Sequence, residues 1–195
     1  MRPTGLYSIA WLRLPVLLAS CLISMAAFGV DKPYPGPFIE REDLLVVLRQ
    51  QAPEQIAAFY EARGFPREAI ERIKATCFVT VHIENRSHDV IWLDTAEWTF
   101  TSKGKPLERL DRNYWDSQWD NIKLRQASRS TFGWTQLPDV RDLQPDEPVG
   151  GNLVFPGSTD RFDMTLKLPT GANRRGKLIT LEFRDVECPK EVKAE

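Results

Sequence analysis

The sequence contains only two histidines and three methionines, and it lacks the spacings that many catalytic and metal sites use. No G-x-S-x-G nucleophile elbow is present, and neither C-x-x-C nor H-x-x-x-H, both typical of zinc sites, occurs. His82 falls in a predicted strand and His88 in a predicted turn, and neither has a serine nearby in a nucleophile context. We therefore predict no catalytic residue, no metal ligand and no cofactor.

An excess of charge of one sign is also missing, because the formal net charge of the whole chain is −1. Basic residues are interleaved with acidic and apolar ones along the chain. Nucleic-acid binding calls for a basic patch or stripe, so we expect no nucleic-acid partner.

The longest apolar run, Leu14–Val30, lies at the N-terminus behind Arg2 and Arg13, which are the only charged side chains before Asp31. A basic segment, an apolar run and small residues at its end are typical of a secretory signal. Residues 1–30 are therefore predicted to be a signal peptide, a lipoprotein signal or a membrane anchor.

The three alternatives differ in how this segment is processed. Residues 18–21, Leu-Ala-Ser-Cys, resemble the lipobox of bacterial lipoproteins, in which Cys21 would be lipidated. A plain signal peptide would instead be cleaved just before Val30, and an uncleaved anchor would use the near-spanning length of the run. Each alternative predicts a body that is exported, in the periplasm or anchored facing the periplasm or exterior, with the N-terminal segment as its only membrane contact.

Without Cys21, two cysteines remain, Cys77 and Cys188. An even number of cysteines in an oxidising compartment favours a disulfide, whereas two separate buried thiols are the alternative. We expect the disulfide to close a loop of about 110 residues, which the chain-entropy model values at roughly 4–5 kcal/mol.

Residues 31–38 hold three prolines and predict an extended linker. Residues 39–75 are predicted to be helical: Leu44, Leu45, Val47 and Leu48 recur near helical spacing, and Pro53 and Pro66 suit the first turns of two further helices. Residues 189–195 form a predicted polar tail. No helix of this length is stable alone, so these helices should dock on the rest of the chain.

Within residues 76–188 the apolar period changes from helical to alternating. Cys77, Val79, Val81 and Ile83 should face one way, and residues 162–168 and 179–183 alternate in the same manner. Several short strands at this spacing predict a mainly β fold, an antiparallel β-sandwich behind a short N-terminal helical segment.

Two segments carry a family resemblance. Residues 79–87, VTVHIENRS, resemble an early strand and turn of immunoglobulin-like domains in exported bacterial proteins, and residues 143–155, LQPDEPVGGNLVF, are similar to a later strand of those domains. The resemblance implies an immunoglobulin-like sandwich, and because members mostly lack a catalytic site, it assigns no functional residue.

Residues 107–136 depart from that pattern and are here named the Trp-rich insert. Tyr114, Trp115 and Trp119 lie within six residues, among acids and amides. If exposed, they could stack on sugar rings or anchor a protein; alternatively, Trp115 and Trp119 form one buried face of a short helix. The other tryptophans considered, Trp92, Trp98 and Trp134, are expected to fill the core.

These observations favour an exported, non-enzymatic interaction or structural module of the bacterial cell envelope. Its expected partner is a protein, bound through a sheet face or the Trp-rich insert. The alternative is a module that binds a glycan or peptidoglycan, and a hydrolase is the third candidate.

Overall fold

A computed structural model describes residues 34–190, in which strands and helices alternate in blocks. The predicted signal with Cys21, the start of the predicted linker and most of the predicted polar tail lie outside this range. The elements are β1 Phe38–Glu40, β2 Leu44–Gln51, α1 Pro53–Glu61, α2 Arg67–Lys74, β3 Thr76–Asn85, β4 Ile91–Asp94, β5 Thr99–Ser102, β6 Lys105–Pro106, α3 Arg112–Asn121, α4 Gln126–Trp134, β7 Val140–Leu143, β8 Pro148–Pro156, β9 Arg161–Pro169 and β10 Leu178–Glu187.

The described strands form three antiparallel sheets. The first has the order β1-β2-β3-β8, the second β10-β9-β5-β6, and β4 pairs with β7 in a small third sheet. Apolar side chains of all three sheets meet in one core. The fold is therefore mainly β, with two four-stranded sheets packed as a sandwich.

Strand β3 shows why the sandwich forms. Cys77, Val79, Val81 and Ile83 are all buried in the core between the sheets. Strand side chains alternate between faces, so Phe78 points to the opposite side, where it is buried in a second apolar cluster under the helices. The alternation predicted for residues 77–83 is confirmed.

The helix predicted over residues 44–48 is wrong, because these residues belong to strand β2. This strand pairs with β1 on one side and with β3 on the other, and all of Leu44–Leu48 is buried. A short apolar run buried on both faces has no strand-like alternation to distinguish it from a helix. The sandwich consequently begins near residue 38, not at residue 76.

The two other predicted helices are present. Pro53 occupies the first turn of α1, and Pro66 directly precedes α2. Both helices pack with α3 and α4 over the outer face of the first sheet, where Phe78 and Val154 join their apolar cluster. In the described part of the chain, no helix combines the length and apolar character that crossing a bilayer requires.

The Trp-rich insert is hydrogen-bonded to β8 around both of its ends. Before α3, the Leu110 amide donates to the Val154 carbonyl at 2.7 Å, and after α4 the Leu137 amide donates to the Asn152 carbonyl at 3.0 Å. Gly151 permits this approach, since a Cβ there would lie 2.4 Å from the Leu137 nitrogen. Strand β8 thereby holds α3 and α4 against the sheet.

Cys77 and Cys188 form a disulfide, with their Cα atoms 5.4 Å apart. Cys77 lies in β3 of the first sheet, and Cys188 directly follows β10 of the second. The bond therefore links the two layers of the sandwich near the end of the described chain.

Replacing both cysteines, Cys77→Ser with Cys188→Ser, should lower the free energy of unfolding by about 4 kcal/mol, because the unfolded chain regains the entropy of a long loop. Urea unfolding of the purified protein measures this loss. Wild-type protein in reductant is the matched control and should lose a similar amount. Equal midpoints for oxidised and reduced wild type would contradict the prediction.

Candidate binding groove in the Trp-rich insert

The aromatic side chains of the insert form a buried cluster. Trp115 and Trp119, one turn apart on α3, are stacked with ring centroids 4.9 Å apart and are only 3% and 1% exposed. Phe132 of α4 packs against both, with centroid distances of 4.7 and 5.0 Å. Of the two alternatives for Trp115 and Trp119, the buried helix face is observed.

The same burial excludes a flat stacking surface made of Trp115 and Trp119. Of the three predicted binding residues, only Tyr114 is exposed, at 38%. The Trp115 Nε1 is buried and finds no hydrogen-bond partner among the described residues. An unpaired buried donor costs about 1–3 kcal/mol.

Tyr60 joins the N-terminal helices to the insert. Its ring contacts Phe132 at a centroid distance of 5.5 Å, and its hydroxyl lies 2.6 Å from the Thr135 hydroxyl just beyond α4. Desolvation by burial raises the pKa of Tyr60 to about 12. The helical layer thus behaves as one packed unit rather than as two separate hairpins.

A small cavity of about 70 Å³ lies beside this cluster. Trp115, Trp119 and Phe132 contribute aromatic rings to its wall, while Arg109 and Arg129 contribute charge. Each arginine is held by an ion pair, with Arg109 2.5 Å from Asp139 and Arg129 2.5 Å from Asp120. The predicted Trp115 and Trp119 therefore line a cavity instead of presenting an exposed surface.

A wider groove of about 770 Å³ adjoins the cavity. The two share six lining residues, namely Arg112, Asp116, Arg129, Gly133, Gln136 and Leu137. At the groove, Trp134 is 88% exposed. This exposed indole beside charged and amide side chains defines the candidate site.

The expectation that Trp134 fills the core is wrong. On α4 the buried residues are Ser128 and Phe132, and Trp134 follows Phe132 by two positions, about 200° around the helix. It must therefore point away from the cluster. For the other two tryptophans, Trp98 is buried as expected, and Trp92 is half-buried with its Nε1 donating to the Gly171 carbonyl at 2.8 Å.

Two charged side chains of the groove are available to a ligand. Arg112 and Asp116 are exposed one turn apart on α3, and within residues 34–190 neither takes part in an ion pair. Arg129 and Asp120, which also line the groove, are engaged with each other. The lining thus carries two positive and two negative charges, and the groove has no net charge of its own.

Gly133 lines both the cavity and the groove from the last turn of α4. A Cβ built on it would meet no atom within 4 Å. Glycine inside a helix costs about 0.5–1 kcal/mol relative to alanine, and here no neighbouring atom of the protein requires its small size. The space above its backbone is open. The sequence feature that could have indicated this part of the groove is the adjacent pair Gly133 and Trp134 near the end of α4.

The two histidines lie elsewhere. His82 is on β3 and His88 in the turn that follows it, and neither lines the cavity or the groove. In the described part of the chain, no group of three or more His, Cys, Asp or Glu side chains is arranged to hold a metal ion.

Comparisons with known proteins give two structural likenesses. A proposed lipoprotein from Bacillus subtilis, ycdA, aligns with a TM-score of 0.40 and 11% identity over 77% of this chain and 39% of its own. The yjhA protein from Bacillus subtilis aligns with a TM-score of 0.38 and 10% identity, covering 67% and 77%. The chain thus spans about two fifths of the length of ycdA. No family model and no curated protein matches the sequence.

Tyr60 predicts a pH dependence of stability. Its folded pKa of about 12 exceeds the ordinary value of 10.0, so its contribution to stability is complete below pH 10 and is lost as the pH rises toward 12. Between these pH values, the free energy of unfolding of the wild type should fall by about 1–3 kcal/mol more than that of Tyr60→Phe. Denaturant unfolding at successive pH values measures the difference, and parallel curves for the two proteins would contradict it.

Proposed function

We propose that this chain is an exported, non-enzymatic binding module of the bacterial cell envelope, and that it binds its partner at the groove of the Trp-rich insert. The observation that carries the proposal is Trp134, a large aromatic side chain 88% exposed on a helix whose other face is tightly packed. Tryptophan is enriched among the interface residues that dominate binding energies.

Two observations support export. The apolar run at residues 14–30 has the composition of a secretory signal, and the Cys77–Cys188 disulfide is of the kind that persists in oxidising compartments. The proposal puts the body in the periplasm, or anchored so that it faces the periplasm or exterior, with the N-terminal segment as its only membrane contact.

The proposal includes an immunoglobulin-like type for the sandwich. Its support is that the two segments carrying the resemblance lie on neighbouring strands of one sheet: residues 79–87 cover most of β3 and the turn after it, and residues 143–155 end in β8. In such a domain the helices α3 and α4 are an addition, and additions on a rigid scaffold are common places for binding residues.

The non-enzymatic part rests on the composition of the groove. Neither histidine lines it, and Asp120 is engaged by Arg129. Asp116 and Asp120, one turn apart, are the pair of carboxylates from which a glycosidase could be built. Turnover of an oligosaccharide that is abolished by Asp116→Asn would overturn this part.

Co-sedimentation of the purified protein with sacculi, inner-membrane vesicles and outer-membrane vesicles tests the binding role. We expect one fraction to retain the wild type, and Trp134→Ala to weaken retention at least about tenfold, since truncating an anchor residue commonly costs about 2 kcal/mol or more. Leu178→Ala is the matched control, because Leu178 is 50% exposed but lies on β10 outside the groove.

The control should be retained as well as the wild type. The proposal fails if no fraction retains the protein, or if Trp134→Ala is retained as strongly as the wild type while thermal unfolding shows that it is folded.

A further inference from the structure

We infer that the groove binds a neutral pyranose ring of a glycan, which stacks on Trp134 and packs against the half-buried Gly133. This inference rests on the proposed function and names its ligand class. It extends the glycan alternative of the sequence, but assigns the stacking to Trp134 instead of Tyr114, Trp115 and Trp119.

Trp134 supplies the stacking surface. One face of a pyranose ring presents a patch of C–H groups, which packs against an aromatic ring and removes apolar area from water. The indole of Trp134 is 88% exposed and lies at the groove, whereas Trp115 and Trp119 are covered by their neighbours. It is therefore the tryptophan of the insert that is free to accept such a ring.

The polar side chains at the groove suit hydroxyl groups. Arg112 offers a planar set of donors and Asp116 offers two acceptor oxygens. Gln136 adds its amide oxygen, because its amide nitrogen already donates to the Phe132 carbonyl and the Thr135 hydroxyl. Planar groups of this kind can bind two adjacent hydroxyls at once. Because the two positive and two negative charges of the lining balance, nothing in the groove favours an ionic ligand over a neutral one.

Gly133 supplies the room that a ring stacked on Trp134 needs. It leaves open space where any other residue would place a Cβ, and no atom of the protein within 4 Å needs that space. The opening lies directly beside Trp134 in the sequence, and both residues line the groove. A ring stacked on the indole can therefore approach the helix backbone more closely than a side chain at position 133 would allow.

The same lining argues against a protein partner at this place. Binding hot spots between proteins are clusters of large side chains that become fully desolvated. Here a single exposed tryptophan lies among charged side chains, of which Arg112, Asp116 and Asp120 are exposed. The sequence favoured a protein partner over a glycan, and the composition of the groove reverses that order.

Isothermal titration with cellohexaose, maltohexaose and hexa-N-acetylchitohexaose, all of them neutral, tests the inference, with tryptophan emission as a second readout. We expect saturable binding of at least one of them. Trp134→Ala should abolish it, Trp134→Phe should retain weaker binding, and Leu178→Ala should bind as the wild type does.

Gly133→Ala is the decisive variant, because it should weaken glycan binding without lowering the stability of the protein. With nothing near the added methyl group, the thermal midpoint should be unchanged or higher, while glycan affinity falls at least about tenfold. Unchanged affinity in this variant would overturn the packing against Gly133.

If none of the three oligosaccharides binds, but envelope retention still depends on Trp134, the glycan inference falls and the proposed function stands. If neither binding nor retention is seen, both fall. Self-association of the wild type that Trp134→Ala abolishes, without glycan binding, would assign the groove to a second copy of this chain and overturn the inference.

Discussion

The edge of β8 is the constraint on which the helical layer depends. Its Val154 carbonyl accepts a hydrogen bond from Leu110 near the start of the Trp-rich insert, and its Asn152 carbonyl accepts one from Leu137, the residue directly after the insert. An unpaired strand edge is a liability that proteins cover with other segments. Here the covering segment contains two helices, and because both of its ends are held, those helices can only fold back over the outer face of the first sheet.

The packing of the insert on that face determines which of its side chains remain exposed. Phe78 of β3 would be exposed without a cover, and Trp115, Trp119 and Phe132 provide one. On α4 the buried side chains are Ser128 and Phe132, so the side chains on the opposite face of the helix point to solvent. Trp134 is one of these. The exposed indole is thus a geometric consequence of the packing that buries the other aromatic rings.

Two features of the insert lower its stability. The buried Trp115 Nε1 lacks a partner among the described residues, and Gly133 weakens α4 without a packing reason inside the protein. The disulfide between β3 and the residue after β10 raises the stability of the fold, because it constrains the unfolded chain. The crosslink thereby offsets part of the stability that these two features cost.

Three features could be predicted from the sequence, because each depends on local chemistry or on simple counting. The alternation at residues 77–83 predicted the sandwich, Pro53 and Pro66 predicted α1 and α2, and the two remaining cysteines predicted the disulfide. Strand β2 could not be recognised, since a run buried on both faces has no period. The exposure of Trp134 also escaped prediction, because it depends on which side of α4 meets Phe78. Residue chemistry alone predicts that large apolar side chains leave water, and on that basis Trp134 was wrongly assigned to the core. Its exposure follows from tertiary packing, because α4 buries Ser128 and Phe132 and Trp134 lies on the opposite face of the helix.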